Sequence, residues 1–224
     1  MSMTVPKKNI PPAAPPEPAA PAAPLGKKAQ QAADSRARLI AQARALFQTQ
    51  GYAATSTETL LAATGLTRGA LYHHFRDKKD LFKAVCEQMH GELAQAIEFA
   101  TADVADDREG LRLGSLAWMT AVGEQGRCRV LLIDAPAVLG EAQWEALDAR
   151  HGYAALQQGL RQMRQAHTAS CVLQSDALAA ALNGAMNQLA RWSAEQGSEA
   201  ARQEATRVVE QLLVVATKKQ EKAP

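Results

Sequence analysis

The chain has 224 residues, is 47% hydrophobic but only 4% aromatic, and carries a net charge of +2. That length holds one large or two small domains, and an aromatic-poor, Ala- and Leu-rich composition suits helices over sheets. Cys86, Cys128 and Cys171 are odd in number and lack C-x-x-C spacing, which argues against a disulfide scaffold and for a reducing cytoplasm. No run of 18 apolar residues suggests a membrane span, and the N-terminus lacks the continuous apolar segment of a secretory signal. Charge is unevenly spread. Residues 1–83 hold 12 Lys/Arg against 5 Asp/Glu and residues 84–224 hold 13 against 18, which points to an anion-binding N-terminal part with a different task for the rest.

Eight of the ten prolines fall in residues 1–24. Such density forbids helix ladders and predicts a solvated, disordered tail over 1–33. A sharper reading makes this tail a basic arm, with Lys7, Lys8, Lys27, Lys28, Arg36 and Arg38 touching phosphate or the minor groove. Arg38–Gly51 is an amphipathic helix with Leu39, Ile40, Ala43, Leu46 and Phe47 on one side, stopped by Gly51. Ser56 then caps a short helix with an apolar stripe of Leu60, Leu61 and Ala63, and Gly65 gives its sharp exit. Thr67 caps a second short helix, Arg68–Phe75, where Leu71 and Phe75 point inward and Arg68, Gly69, Tyr72, His73 and His74 outward. Two short helices across a glycine turn, the second dressed with arginine, tyrosine and histidine, make a helix-turn-helix over about 56–75. Thr55, Ser56, Thr67 and Lys78 are the expected phosphate contacts.

Several pieces occur at fixed spacing: A-x-x-L-F-x-x-x-G-Y-x-x-T-S over Ala43–Ser56, A-A-T-G-L-T-R-G-A-L-Y-H-H-F over Ala62–Phe75, and K-x-x-L-F over Lys78–Phe82. This set resembles the N-terminal domain of the TetR family of bacterial transcriptional regulators, closely over about residues 35–85 and more loosely beyond. Two positions depart from the pattern: Leu61 stands where a small alanine is common, and Thr59 replaces the acid of a capping box. The resemblance implies an all-α fold, with a DNA-binding domain over 34–82, a helical effector-binding and dimerisation domain over 83–217 and a flexible tail over 218–224. It also implies a ligand-released repressor, binding double-stranded DNA at a palindromic operator as a homodimer.

The rest is helix after helix. Asp77 to about Ala100 carries Leu81, Val85, Met89, Leu93 and Ile97; at ~1.5 Å per residue it spans roughly 36 Å, enough to connect a head to a body. Asp107–Val122 follows. Arg129–Leu139 is apolar and should bend or break at Pro136. Glu141–Gln165 reads as one helix, then come Ser175–Gln196 and Ser198–Thr217. In the last two a sustained 3–4 spacing makes a seam, and the resemblance assigns it to the dimer interface, with Leu178, Leu182, Ala185, Leu189, Trp192, Val208, Leu212 and Val215 across a twofold axis. Met89, Trp118, Met119, Trp144, His151, Tyr153, Met163, Met186 and Asn187 are candidates for a mixed apolar and polar effector pocket.

No catalytic motif occurs, so neither an enzyme nor a cofactor is expected. Cys86 and His90 supply two ligands where structural zinc needs four, so no metal is expected either. A redox switch through one of the cysteines lacks an adjacent resolving thiol. The alternative to a regulator is a helical interaction module whose helix-turn-helix packs on protein.

Overall fold

A computed structural model describes residues 26–124, 126–165 and 175–217. Among these residues the chain is entirely helical: α1 Lys27–Gln50, α2 Thr57–Thr64, α3 Arg68–His74, α4 Lys78–Thr101, α5 Asp107–Gly123, a π-helical turn Arg129–Asp134, α6 Ala135–Leu139, α7 Glu141–Asp148, α8 Gly152–Gln165, α9 Ser175–Gln196 and α10 Glu199–Thr217. Local chemistry sets the starts. The Ser56 Oγ accepts from the Thr59 amide, Thr67 from Ala70, Asp77 from Asp80 and Asp106 from Glu109, each cap worth ~1 kcal/mol. Thr59 also restores part of the missing capping box, since its hydroxyl lies 3.0 Å from that of Ser56. Gly65 ends α2 at φ 67°, where a side chain would strain the backbone.

α1 to α3 and the first turns of α4 share one core of Leu39, Ala43, Phe47, Leu60, Leu71, Phe75, Leu81 and Phe82. Phe47, Tyr52 and Phe82 meet there, with Phe47 and Phe82 edge to face at 5.1 Å. α4 leaves this head and becomes a wall of the body, packed on α5 and α8; α9 packs on α8 and α10. Head and body are also tied laterally. Glu92 of α4 bonds Arg44 of α1 and, at 2.9 Å, Arg127. Burial works against its charge, but the Arg44 hydrogen bond and the two guanidinium charges hold the Glu92 carboxyl below its ordinary range. Gly126, at φ 72°, lies so near α1 that a Cβ would fall 2.5 Å from the Gln48 carbonyl oxygen.

The structure corrects several expectations. α1 begins at Lys27, so residues 27–33 belong to the helix and not to the tail, and Arg36 stacks 5.0 Å over the Phe75 ring instead of extending from an arm. Lys7, Lys8 and Cys171 lie outside the described residues. The stretch 141–165 is two helices, because the chain turns at Ala149–His151 to bury Asp148 and to bring Gly152 against the Trp118 indole. Before Pro136 the helix widens to a π turn, and the proline sits in the first turn of α6, where its missing N–H costs little.

The residues expected at the seam divide between the chain's own core and its surface. Leu178 and Leu182 are 9% and 5% exposed and pack with Met186 and Ala190 in the chain's own core. On α10 the inward face is Ala201, Ala205, Val209 and Leu213, a strict four-residue step. Leu212, Val214 and Val215 are left 38%, 62% and 75% exposed, while Ala185, Leu189, Trp192 and Val208 are half-buried.

His90 of α4 is 2% exposed, with both ring nitrogens unpartnered and the ring stacked on His151 at 5.8 Å. Burial first, then His151 and Arg150, push it down to about 4 from an ordinary 6.5. The folded state therefore refuses a proton that the unfolded chain accepts. Stability contributed by neutral His90 is full above pH 6.5 and falls as pH drops toward 4, by up to ~3 kcal/mol. Thermal midpoints between pH 7 and 4.5 should fall steeply for the native chain and more gently for His90→Leu.

Candidate nucleic-acid interface and effector cavity

α3 is held by its buried side, Leu71, with Phe75 closing its end. The opposite side presents Thr67, Arg68, Gly69, Tyr72 and His73 to solvent, with Tyr72 46% exposed. Nothing lies within 4 Å of where a Gly69 Cβ would be, so this turn offers bare backbone for close approach. Arg68 is anchored by Glu58 of α2 at 2.6 Å, both on the surface. Such an exposed pair is worth little and leaves the guanidinium available to another acceptor. His74 is half-buried, and burial, then His73 and Arg36, lower its pKa, so it adds shape more than charge.

Two expected phosphate contacts are differently employed. Thr55 is fully buried and its hydroxyl donates to the Gly51 carbonyl at 2.8 Å. Lys78 sends its ammonium back into the fold, donating to the carbonyls of Tyr52 at 3.0 Å and Thr55 at 2.9 Å, with Nζ 4.0 Å from the Tyr52 ring centroid. The reason is positional: a lysine in the first turn of α4 sits beneath the corner between α1 and α2, whose carbonyls no helix satisfies. Ser56 and Thr67 stay exposed while capping their helices.

In the body, α4, α5, α8 and α9 enclose a cavity of about 580 Å³, well within the range of small-molecule sites. Ile97, Leu111, Trp118, Leu156 and Met186 supply its apolar surface; Thr101, Ser115, Gln158, Gln162 and Asn183 its neutral polar groups; Glu98, Asp106 and Asp107 its acids. Of the nine pocket candidates only Trp118 and Met186 line it. Met89, Met119 and Met163 are closed into the core, Trp144 donates to the Leu131 carbonyl at 2.8 Å, and His151 stacks on His90. Tyr153 packs half-buried on the core and Asn187 is buried with its carbonyl oxygen unpartnered. The missed signal is glycine. Gly110 and Gly114 on α5, and Gly152 and Gly159 on α8, lie one or two turns apart and all face the cavity. A Cβ on Gly159 would come within 3.1 Å of Leu111, and one on Gly114 within 3.3 Å of Ile97.

The two described thiols, Cys86 and Cys128, are buried and carry no site. Burial raises the Cys86 thiol far out of the reactive range, and burial pushes Cys128 up to about 11; a redox role needs the opposite shift.

Replacing Lys78 by Met keeps the aliphatic stem but removes the two charge-assisted bonds, and should destabilise the fold by ~1.5–3 kcal/mol. Denaturant unfolding measures this; an unchanged midpoint would return Lys78 to the pool of DNA contacts.

Residues 39–85 match the family model described as "Bacterial regulatory proteins, tetR family", and residues 108–215 match "Tetracyclin repressor-like, C-terminal domain". The head is 43% identical over 61 residues to the HTH-type transcriptional regulator AcrR of Shigella flexneri, covering 27% of this chain and 28% of that protein. It is 36% identical over 64 residues to the HTH-type transcriptional repressor AcnR of Corynebacterium glutamicum, covering 29% and 34%. The similarity thus spans about a third or less of these curated relatives. A crystal structure of a TetR-family transcriptional regulator from Pectobacterium atrosepticum aligns with a TM-score of 0.70 and 33% identity, over 86% of this chain and 98% of that one.

Proposed function

We propose, from the premise that this chain belongs to the TetR family of bacterial regulatory proteins, that it is a cytoplasmic, non-catalytic repressor released from DNA by a small molecule. As a DNA-binding transcriptional regulator it acts through α3, and the observation that carries this reading is the solvent-facing set Arg68, Gly69, Tyr72 and His73 on a helix braced by Leu71 and Phe75. Arginine in a major groove donates bidentately to guanine, tyrosine and histidine supply edge and stacking contacts, and the capped starts of α2 and α3 offer amides to phosphate.

One such helix buries too little surface for specific affinity, so a homodimer on a palindromic operator is the fitting unit. The apolar stripe Val208, Leu212 and Val215 on one side of α10, half-buried to exposed, supports a partner there, together with the half-buried Leu189 and Trp192 of α9. Release by an effector is supported by the double employment of α4. Lys78 at its first turn grips the corner beside the motif, and Ala94, Ile97, Glu98 and Thr101 near its end line the cavity. A molecule that moves the end of α4 moves the head on a rigid lever.

Selection of bound DNA from a random pool tests the reading head. Arg68→Ala should cost ~1–3 kcal/mol on the preferred site and relax selectivity at one position of each half-site. A selectivity profile identical to that of the native chain would remove Arg68 from base contact.

The interface is tested at residues free of the monomer core. Leu212→Glu with Val215→Glu should yield a folded monomer by sedimentation and circular dichroism, with operator affinity lowered roughly 10²–10⁴-fold through loss of avidity. A variant that stays dimeric places the interface elsewhere.

A further inference from the structure

We propose that the body cavity selects a lipophilic cation, a compact apolar molecule carrying positive charge; this deepens the effector reading above and rests on it. The first support is the charge of the wall. Among the described lining residues there are three carboxylates and no Lys, Arg or His. The nearby arginines of α5 are spent on α10: Arg108 donates to the Thr217 carbonyl at 2.6 Å, and Arg112 pairs with Glu109 and Glu210, each at 2.7 Å. Asp106 is committed to capping α5, which leaves Glu98 and Asp107 as the acids open to a ligand.

The second support lies behind the wall. Asp148 is 7% exposed, and its Oδ2 accepts from the amide of Asn183, itself a lining residue, at 2.9 Å. Its Oδ1 lies 3.8 Å from the position a Gly152 Cβ would take, and the Trp118 Nε1 lies 3.0 Å from the same point. At this end a buried carboxylate stands beside two lining residues, Gly152 and Asn183. Burial raises the Asp148 carboxyl above its ordinary value despite the Asn183 bond and the His151 charge, so its ionised form is short of positive partners. A cation in the cavity supplies one at low dielectric. The third support is the apolar surface, where Trp118 is the aromatic side chain best suited to a cation's approach. An anion of the same shape meets the same apolar contacts and pays a repulsion from the lining carboxylates.

The experiment uses two probes of nearly equal shape and opposite sign, tetraphenylphosphonium and tetraphenylborate, in equilibrium dialysis against the intact chain. Gly110→Leu defines binding that belongs to the cavity, since a Cβ there meets only Val104, at 4.0 Å, and a leucine would extend into the open space. Phosphonium should bind at least about tenfold tighter than borate. The preference should shrink severalfold in Glu98→Gln/Asp107→Asn, and Gly110→Leu should abolish binding of both ions. Borate binding as tight as phosphonium, in a Gly110-sensitive manner, would overturn the cation and leave the effector cavity standing. No Gly110-sensitive binding of either ion would overturn the effector reading and the cation with it.

Discussion

The corner from Gly51 to Ser56 is the constraint on which the rest of the molecule depends. Six residues of non-helical chain must turn between α1 and α2, and the buried carbonyls and amides among them are met by specific groups. The Gly51 carbonyl takes the Thr55 hydroxyl, the Tyr52 and Thr55 carbonyls take the Lys78 ammonium, and the Tyr52 amide donates to Asp134 at 2.9 Å. Gly51, at φ 85°, lets the Arg129 guanidinium lie where a Cβ would be. Tyr52 is clasped between Lys78 above its ring and the rings of Phe47 and Phe82. Lys78 belongs to α4 and Asp134 to the π-helical turn of the body, so the loop that positions the motif is built from body residues as much as from its own. A buried carbonyl without its partner costs ~1–3 kcal/mol, which makes this corner stiff. Stiffness here is what the proposed lever action of α4 requires.

The same corner explains which parts of the chain were legible as sequence. Glycine and the small capping residues act locally, so the limits of α2 and α3 could be read from Ser56, Gly65 and Thr67 with little error. Periodicity correctly faced Leu71 and Phe75 inward. Failures came where a distant contact decided the matter. The split of residues 141–165 depends on Asn183 accepting Asp148 as a partner and on Trp118 pressing against Gly152. Lys78, expected at phosphate, hydrogen-bonds two carbonyls more than twenty residues earlier, a pairing that no local pattern announces. On α9 and α10 a mixed 3–4 spacing suits both an intrachain core and a dimer seam, and phase alone separates them: Leu182 and Val209 point in, Val215 out.

The cavity was least legible, for a reason of general interest. Large side chains were expected to line it, yet methionines such as Met89 and Met163 fill core, as flexible side chains do. Space is instead created where glycines let α5 and α8 come close at some points and stand apart at others. Gly114 and Gly159 sit at contacts tight enough that a methyl group would make Ile97 or Leu111 give way by a few tenths of an ångström. Gly110, one turn earlier, faces open volume. A pocket is thus written in the residues that are missing side chains, a pattern no hydrophobic count detects.

The proposed ligand control would follow from how these two regions share α4. A ligand shifts an equilibrium only by its difference in affinity between the two arrangements, so what matters is whether the cavity can exist in two shapes while the corner keeps one. The contacts differ in the right way. At the corner, hydrogen bonds with fixed directions, an aromatic cluster and a cation over a ring allow a single geometry. Around the cavity, Ile97, Thr101 and Leu111 meet glycines through van der Waals contact, which is indifferent to small sliding of one helix along another. Between them Glu92 links α4 to Arg44 and Arg127 through partly exposed ion pairs. Such pairs contribute little net stability, but they can break and re-form as α4 tilts. The helix is therefore clamped at the corner, loosely guided at its middle and less constrained beside the cavity, so that under the proposed control a displacement at the cavity would arrive at the motif as rotation of a rigid body.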